Sequence, residues 1–174
     1  MTVDTSKLAY RPCVGALILN ADGLVWIGRR HNAPGKAGAQ ISEGHGSWWQ
    51  MPQGGIDDGE EPARAVLREV QEETGMTSLS IIARLPGLHL YDLPPDLLAK
   101  KLWGGKFRGQ QQTWFALRFT GPDSEVAITP ASGPAPEFDA WRWAQPSELL
   151  DLIVPFKRDV YRSVLADAAK LQIV

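Results

Sequence analysis

The stretch from Pro62 to Gly75 constrains this chain more than any other. Pro62 suits a first helical turn, where its missing N–H is no loss. Asp57, Asp58, Glu60 and Glu61 lie where a helix dipole favours negative charge, and Gly75 is a natural stop. Ala63, Val66, Leu67, Val70 and Thr74 follow the i, i+3, i+4 spacing, which predicts a helix with one face on a core. At about 100° per residue, Glu72 falls about 60° to one side of Glu69 and Glu73 about 40° to the other. Three carboxylates therefore share a stripe beside the apolar one. Like charges at i, i+4 repel by about 0.2–0.5 kcal/mol when exposed, and partial burial makes that worse. Arg68 can pair with Glu72, but one guanidinium does not neutralise three acids. A solvated acidic face has the same spacing. The other solution is a divalent cation, and oxygen donors without histidine or cysteine fit Mg²⁺ or Mn²⁺ rather than zinc.

The rest of the composition narrows the class. The chain has 174 residues, 44% hydrophobic and 22% charged, which excludes disordered, collagen-like and coiled-coil classes. A net charge of −2 excludes a globally basic nucleic-acid binder, so a polyanion has to meet a local basic patch. Cys13 is the single cysteine, so there is no intrachain disulfide and a reducing cytoplasm is expected. Met1 to Tyr10 holds no signal-peptide stretch, and no apolar run approaches the ~20 residues of a membrane helix. The seven tryptophans either pack or flank a cleft for flat bases. His31, His45 and His89 fall in no ligand spacing and are expected on the surface.

Residues 13–19 predict a buried strand, Asn20 to Gly23 a turn, and Leu24 to Gly28 a returning strand. His31 to Ser47 has no period and reads as a long exposed loop. Leu79–Leu85, Gln112–Phe119 and Ala140–Trp143 are further strands, and Asp92 to Asp96 a turn. Leu97 to Trp103 reads as short or irregular helix, and Gly121 to Pro136 as a second loop. Pro146 to Leu150 opens a short helix, and Phe156 to Leu171 carries a helical pattern. The sum is a single α+β domain with mixed strands, over residues 8–171.

From Gly54 to Met76 the fixed positions are Gly54, Glu60, Arg68, Glu69, Glu72, Glu73 and Gly75, with Val70 between the acids. This stretch resembles the Nudix box at each fixed position. The resemblance continues in Tyr10-Arg-Pro-Cys-Val-Gly15, Trp49-Gln-Met-Pro-Gln-Gly-Gly-Ile56, Gly109-Gln-Gln-Gln-Thr-Trp-Phe115, Glu137-Phe-Asp-Ala-Trp-Arg-Trp143 and Val154-Pro-Phe-Lys-Arg-Asp-Val-Tyr161. These look like the bacterial RNA pyrophosphohydrolases, a subfamily that overlaps with dinucleoside polyphosphate hydrolases. The similarity covers residues 8–167, and the chain departs from it in the length of the 31–47 segment.

The resemblance implies a Nudix fold, an α/β/α sandwich on a mixed sheet. Gly54 and Gly75 would be structural, and Glu60 would brace the loop to the helix through Arg68. Glu69, Glu72, Glu73 and Glu137 would hold two or three divalent ions with substrate bound. Glu69, Glu73, Glu137 and Arg68 would be the catalytic set. Arg11, Arg30, Val154, Phe156 and Lys157 would meet phosphates and the terminal base. Arg29, Arg30, Lys100, Lys101, Lys106 and Arg108 could track an RNA backbone, or simply be solvated. The implied reaction is Mg²⁺-dependent removal of pyrophosphate from 5′-triphosphorylated RNA, which opens the RNA to decay. The same chemistry on diadenosine polyphosphates is the alternative. A Nudix-like binding module without catalysis is disfavoured, because all three helix glutamates are present.

Overall fold

The structure is a computed structural model that describes residues 5–30, 47–129 and 135–174. The predicted 31–47 loop lies almost wholly outside these residues, as do His31 and His45. A long strand β1 (Ala9–Leu19) turns through Asn20–Gly23 into β2 (Val25–Arg30). Gly23 takes φ +74°, and the Asn20 side chain accepts from the Asp22 and Leu24 N–H groups, an Asx-type closure of the turn. Two short strands follow, β3 (Trp49–Gln50) and β4 (Gln53–Gly55), then helix α1 (Pro62–Thr74). β5 (Leu79–Arg84), β6 (His89–Asp92), α2 (Pro95–Ala99) and the long β7 (Phe107–Phe119) come next. β8 (Phe138–Ala144), α3 (Leu149–Leu152) and α4 (Arg158–Lys170) complete the order.

β1 and β7 run parallel at the centre, in register from Tyr10 beside Gly109 to Leu19 beside Arg118. The other pairings among the described residues are antiparallel. Side chains alternate across this central pair. Val14, Ala16 and Ile18 of β1, with Phe115 and Leu117 of β7, face Ala65, Val66 and Val70 of α1. Leu17 and Leu19, with Trp114 and Ala116, face Val160, Tyr161 and Val164 of α4. Covering helices on both faces explain why residues 13–19 are an unbroken apolar run. The result is the expected α/β/α sandwich on a mixed sheet.

β1 also forks. Near its end it pairs with β2 at Leu19 and Val25, whereas Cys13, Val14 and Gly15 pair with Gly55, Gly54 and Gln53 of β4. The glycine loop is thereby a member of the sheet.

His89 corrects the surface expectation. It is 6% exposed on β6, alternates inward with Tyr91, and sets Nε2 3.8 Å from Asp167 of α4. Burial pushes its pKa below the ordinary value.

The joint between α1 and β5 is held by one carboxylate. Glu125 accepts hydrogen bonds from the Thr77 and Ser78 N–H groups at 2.5 and 2.7 Å and from the Ser78 hydroxyl at 2.8 Å. These donors favour the ionised form and lower its pKa to about 2. A depressed carboxylate contributes stability above its unfolded pKa, and loses it as pH falls toward the folded value. Melting temperature is therefore expected to fall in wild type between pH of about 4.5 and about 2. Glu125→Gln should start lower at neutral pH and fall less over that window. A variant whose acid limb overlays wild type would contradict this.

Candidate active site

Helix α1 begins after Glu61, whose carbonyl accepts from the Arg64 and Ala65 N–H groups, and stops at Gly75 with φ +73°. Its buried side is Ala65, Val66, Val70 and Thr74, while Ala63 and Leu67 are exposed. The apolar face is thus rotated toward the acids relative to the expected one. Glu69 falls within it, its side chain 14% exposed, and Glu72 falls outside at 59%.

Arg68 locks the loop to this helix. Its Nε and Nη2 donate to both Glu60 carboxylate oxygens at 2.8 Å, and Nη2 also donates to the Gly55 carbonyl at 2.9 Å. Its Nη1 donates to Glu69 at 2.9 Å and more weakly to Glu72 at 3.4 Å. The two-pronged pair holds the Glu60 pKa near 2. This is the brace expected from Glu60 and Arg68. Gly54 is required for another reason: a Cβ there would land on the Glu69 carboxylate.

Glu69 and Glu73 open into a cleft of about 440 Å³, and Glu137 joins them from the residue before β8. Arg11, Arg30, Phe156 and Lys157 line the same cleft. Glu137 forms an ion pair with Arg30. Glu73 accepts a long 3.3 Å hydrogen bond from the Gln53 N–H. Burial first, then the charges of Glu137 and Glu69, raise the Glu73 pKa well above the carboxylate range. Burial also raises Glu69, against the pull of Arg68. Burial, followed by the charge of Arg30, lowers Lys157 to about 7, and its Nζ sits 5.4 Å above the Tyr91 ring. The cleft therefore penalises uncompensated charge of either sign.

Three mutually repelling carboxylates with hard oxygen donors fit a divalent cation, which would relieve the strain on Glu73. Among the described residues, no three histidine, cysteine, aspartate or glutamate side chains converge as a ready-made metal site. Glu69 and Glu137 instead lean on Arg68 and Arg30.

The remaining expected residues divide. Arg11 holds its guanidinium 5.5 Å above the Trp103 ring at the cleft wall. Phe156 packs against Tyr91 with centroids 5.5 Å apart, giving the cleft an aromatic floor. Val154 is 2% exposed and belongs to the core under α4. Three members of the proposed basic track are already paired: Arg29 with Asp139, Arg30 with Glu137, and Arg108 with Asp92. Trp26 and Trp114 are fully buried, so the tryptophans serve both packing and cleft. Gln53, Tyr91, Trp103 and Gln110 also line the cleft; Gln53 and Gln110 stand in segments that carry the resemblance but were given no role of their own.

Comparison with known proteins identifies the family. The NUDIX domain model matches residues 9–164. The RNA pyrophosphohydrolase of Brucella abortus (strain 2308) is 53% identical over 165 residues, covering 94% of this chain and 90% of that protein. That of Agrobacterium fabrum is 51% identical over 168 residues, covering 96% of each. Among solved structures, the MutT protein from Methanosarcina mazei Go1 superposes with TM-score 0.62 at 20% identity, covering 94% of this chain and 98% of that one. The E. coli dihydroneopterin triphosphate pyrophosphohydrolase gives 0.63 at 17% identity, with 92% and 99% covered. At such identities these two structures share the fold alone.

Proposed function

The chain belongs to the NUDIX domain family, and from that premise we propose that it is an RNA 5′-pyrophosphohydrolase built on residues 8–171. The observation that carries the reading is one cleft in which Glu69, Glu73 and Glu137 face Arg11, Arg30 and Lys157. Acids there suit a cation, and bases beside them suit a polyphosphate. The names borne by relatives more than 50% identical over nearly the full chain support the RNA substrate.

In this reading Glu69, Glu73 and Glu137 of the cleft would hold Mg²⁺ or Mn²⁺, and the exposed Glu72, paired with Arg68, would join them from outside its lining. Two or three such ions would share these ligands once substrate is bound. The bound metal supplies neutralisation of phosphate charge and a water of lowered pKa. Arg11 and Lys157 hold phosphate oxygens, and Phe156 with Tyr91 offers a face to the terminal base. Glu69, Glu73 and Glu137 line the cleft as the carboxylates placed to take the proton of the attacking water. Water adds across a phosphoanhydride, leaving a 5′-monophosphate RNA and pyrophosphate. A cytoplasmic location follows from this substrate. Among the described residues, no helix is long and apolar enough to cross a membrane.

The test is product analysis on labelled 5′-triphosphorylated RNA. Monophosphate ends should form with Mg²⁺ and not in excess chelator. Turnover of diadenosine tetraphosphate far faster than RNA at matched Mg²⁺ would replace the RNA reading with the dinucleoside one.

A further inference from the structure

Beside the carboxylates, the cleft wall carries a file of uncharged amides on β7. Gln110, Gln112 and Trp114 are every second residue, so their side chains leave one face of the strand. They are 5%, 1% and 0% exposed. Trp114 Nε1 lies 2.9 Å from one end of the Gln112 amide. The other end of that amide lies 2.8 Å from Gln110 and 3.4 Å from Gln53.

The chemistry of these groups leaves one polarity. An indole N–H donates and never accepts, so the Gln112 atom facing it is the oxygen. The far end of Gln112 is then its NH₂, which also only donates. Gln110 must turn its Oε1 toward that NH₂, and Gln53 does so through the longer contact. Gln110 and Gln53 both line the cleft. With their oxygens engaged inward, each offers its NH₂ outward. Reversing the file would set two buried donors against each other and leave both without partners.

Trp114 is itself held in place. Tyr161 meets its ring edge-on at 5.7 Å and 81°, and a side chain at Gly15 would land on the indole. We propose that Trp114 is a positioning residue that sets the direction of this amide file, so that Gln110, with weaker support from Gln53, donates hydrogen bonds to phosphate oxygens of the substrate. The proposal rests on the polyphosphate reading above and adds to it how the uncharged wall meets the substrate.

Three variants test it. Trp114→Phe removes the donor and is expected to raise KM for 5′-triphosphorylated RNA about tenfold, with kcat within about threefold, the scale of one hydrogen bond to a charged group. Gln112→Glu keeps an oxygen for the indole but presents a second oxygen to Gln110. That inverts the Gln110 amide, and KM should rise further. Gln111→Glu places the same charge on the opposite face of the strand, and its KM should rise less. An unchanged KM in a Trp114→Phe protein that melts like wild type overturns the proposal. So does a Gln111→Glu protein impaired as much as Gln112→Glu.

A second measurement does not depend on turnover. The Gln110 side-chain NH₂ resonance, assigned by its loss in Gln110→Met, should shift when wild type binds tripolyphosphate with Mg²⁺. It should stay fixed in Gln112→Glu. A shift of equal size in both proteins overturns the proposal even if Trp114→Phe fails to fold. Wild type that leaves triphosphorylated RNA intact would sink the RNA reading, while the tripolyphosphate measurement still decides the amide file.

Discussion

Replacing Glu73 by glutamine is expected to lower turnover by about two orders of magnitude or more, while the fold holds or gains stability. The carboxylate is desolvated and faces Glu137 and Glu69, which together raise its pKa far above the ordinary range. The sign follows from proton binding. The folded state holds this proton more tightly than the unfolded chain, so metal-free wild type loses stability as pH climbs from about 4.5 toward the raised value. The glutamine side chain carries no charge and removes that slope. Mg²⁺ reverses the order, because it binds the ionised form: wild type should gain melting temperature on adding Mg²⁺, and more at higher pH. Glu73→Gln should gain little. Near-normal turnover of this variant at saturating Mg²⁺ would remove Glu73 from the catalytic set.

Gly54→Ala is expected to cost about 10- to 100-fold in kcat/KM with little loss of melting temperature. A methyl group at this position would meet the Glu69 carboxylate, which is the movable end of a long side chain. The fold can yield by swinging Glu69 away, but that breaks its 2.9 Å contact with Arg68 and takes a carboxylate out of the cleft. Gly59→Ala supplies the contrast. Gly59 has φ +76° with nothing within 4 Å of a Cβ there. Its substitution should cost about 1 kcal/mol in backbone strain and leave kcat/KM near wild type. Paired melting curves and initial rates separate the two effects. Equal activity losses at both positions would contradict the role given to Gly54.

Much of this architecture could be read from residue order, for reasons that differ by element. Helix α1 falls on its predicted bounds because proline and glycine mark both ends of a full 3.6-residue pattern. The two-sided burial of β1 shows as the apolar run 13–19. Its polar start at Ala9–Pro12 gives no such signal, and is a strand because β7 lies beside it. β3, β4 and β6 span two to four residues, too few to display a period.

At the cleft, the acids and Arg68 announce themselves by spacing. The face of α1 they occupy was misjudged by part of a turn, since Leu67 reads as apolar and nothing local says it will meet solvent. The glutamines of β7 stood in a segment that carries the family resemblance, but nothing in the sequence gave them a role. A glutamine becomes informative only when its neighbour can donate and not accept, and that is a fact about packing.

The parallel pairing of β1 with β7 carries a consequence for how the protein is made. Between Leu19 and Phe107 lie β2 through α2, with every glutamate of α1 among them. Closing so long a segment is entropically costly and favours slow, late formation of the central pair. During synthesis the ribosome must release Phe119 before the two middle strands can zip together along their length. Until then Cys13, Val14 and Gly15 lack their β7 neighbours, and β4 leans on a half-built edge. The nascent chain thus emerges with the glutamates of α1 already present, while Glu137, Phe156 and Lys157 of the same cleft are still to be made.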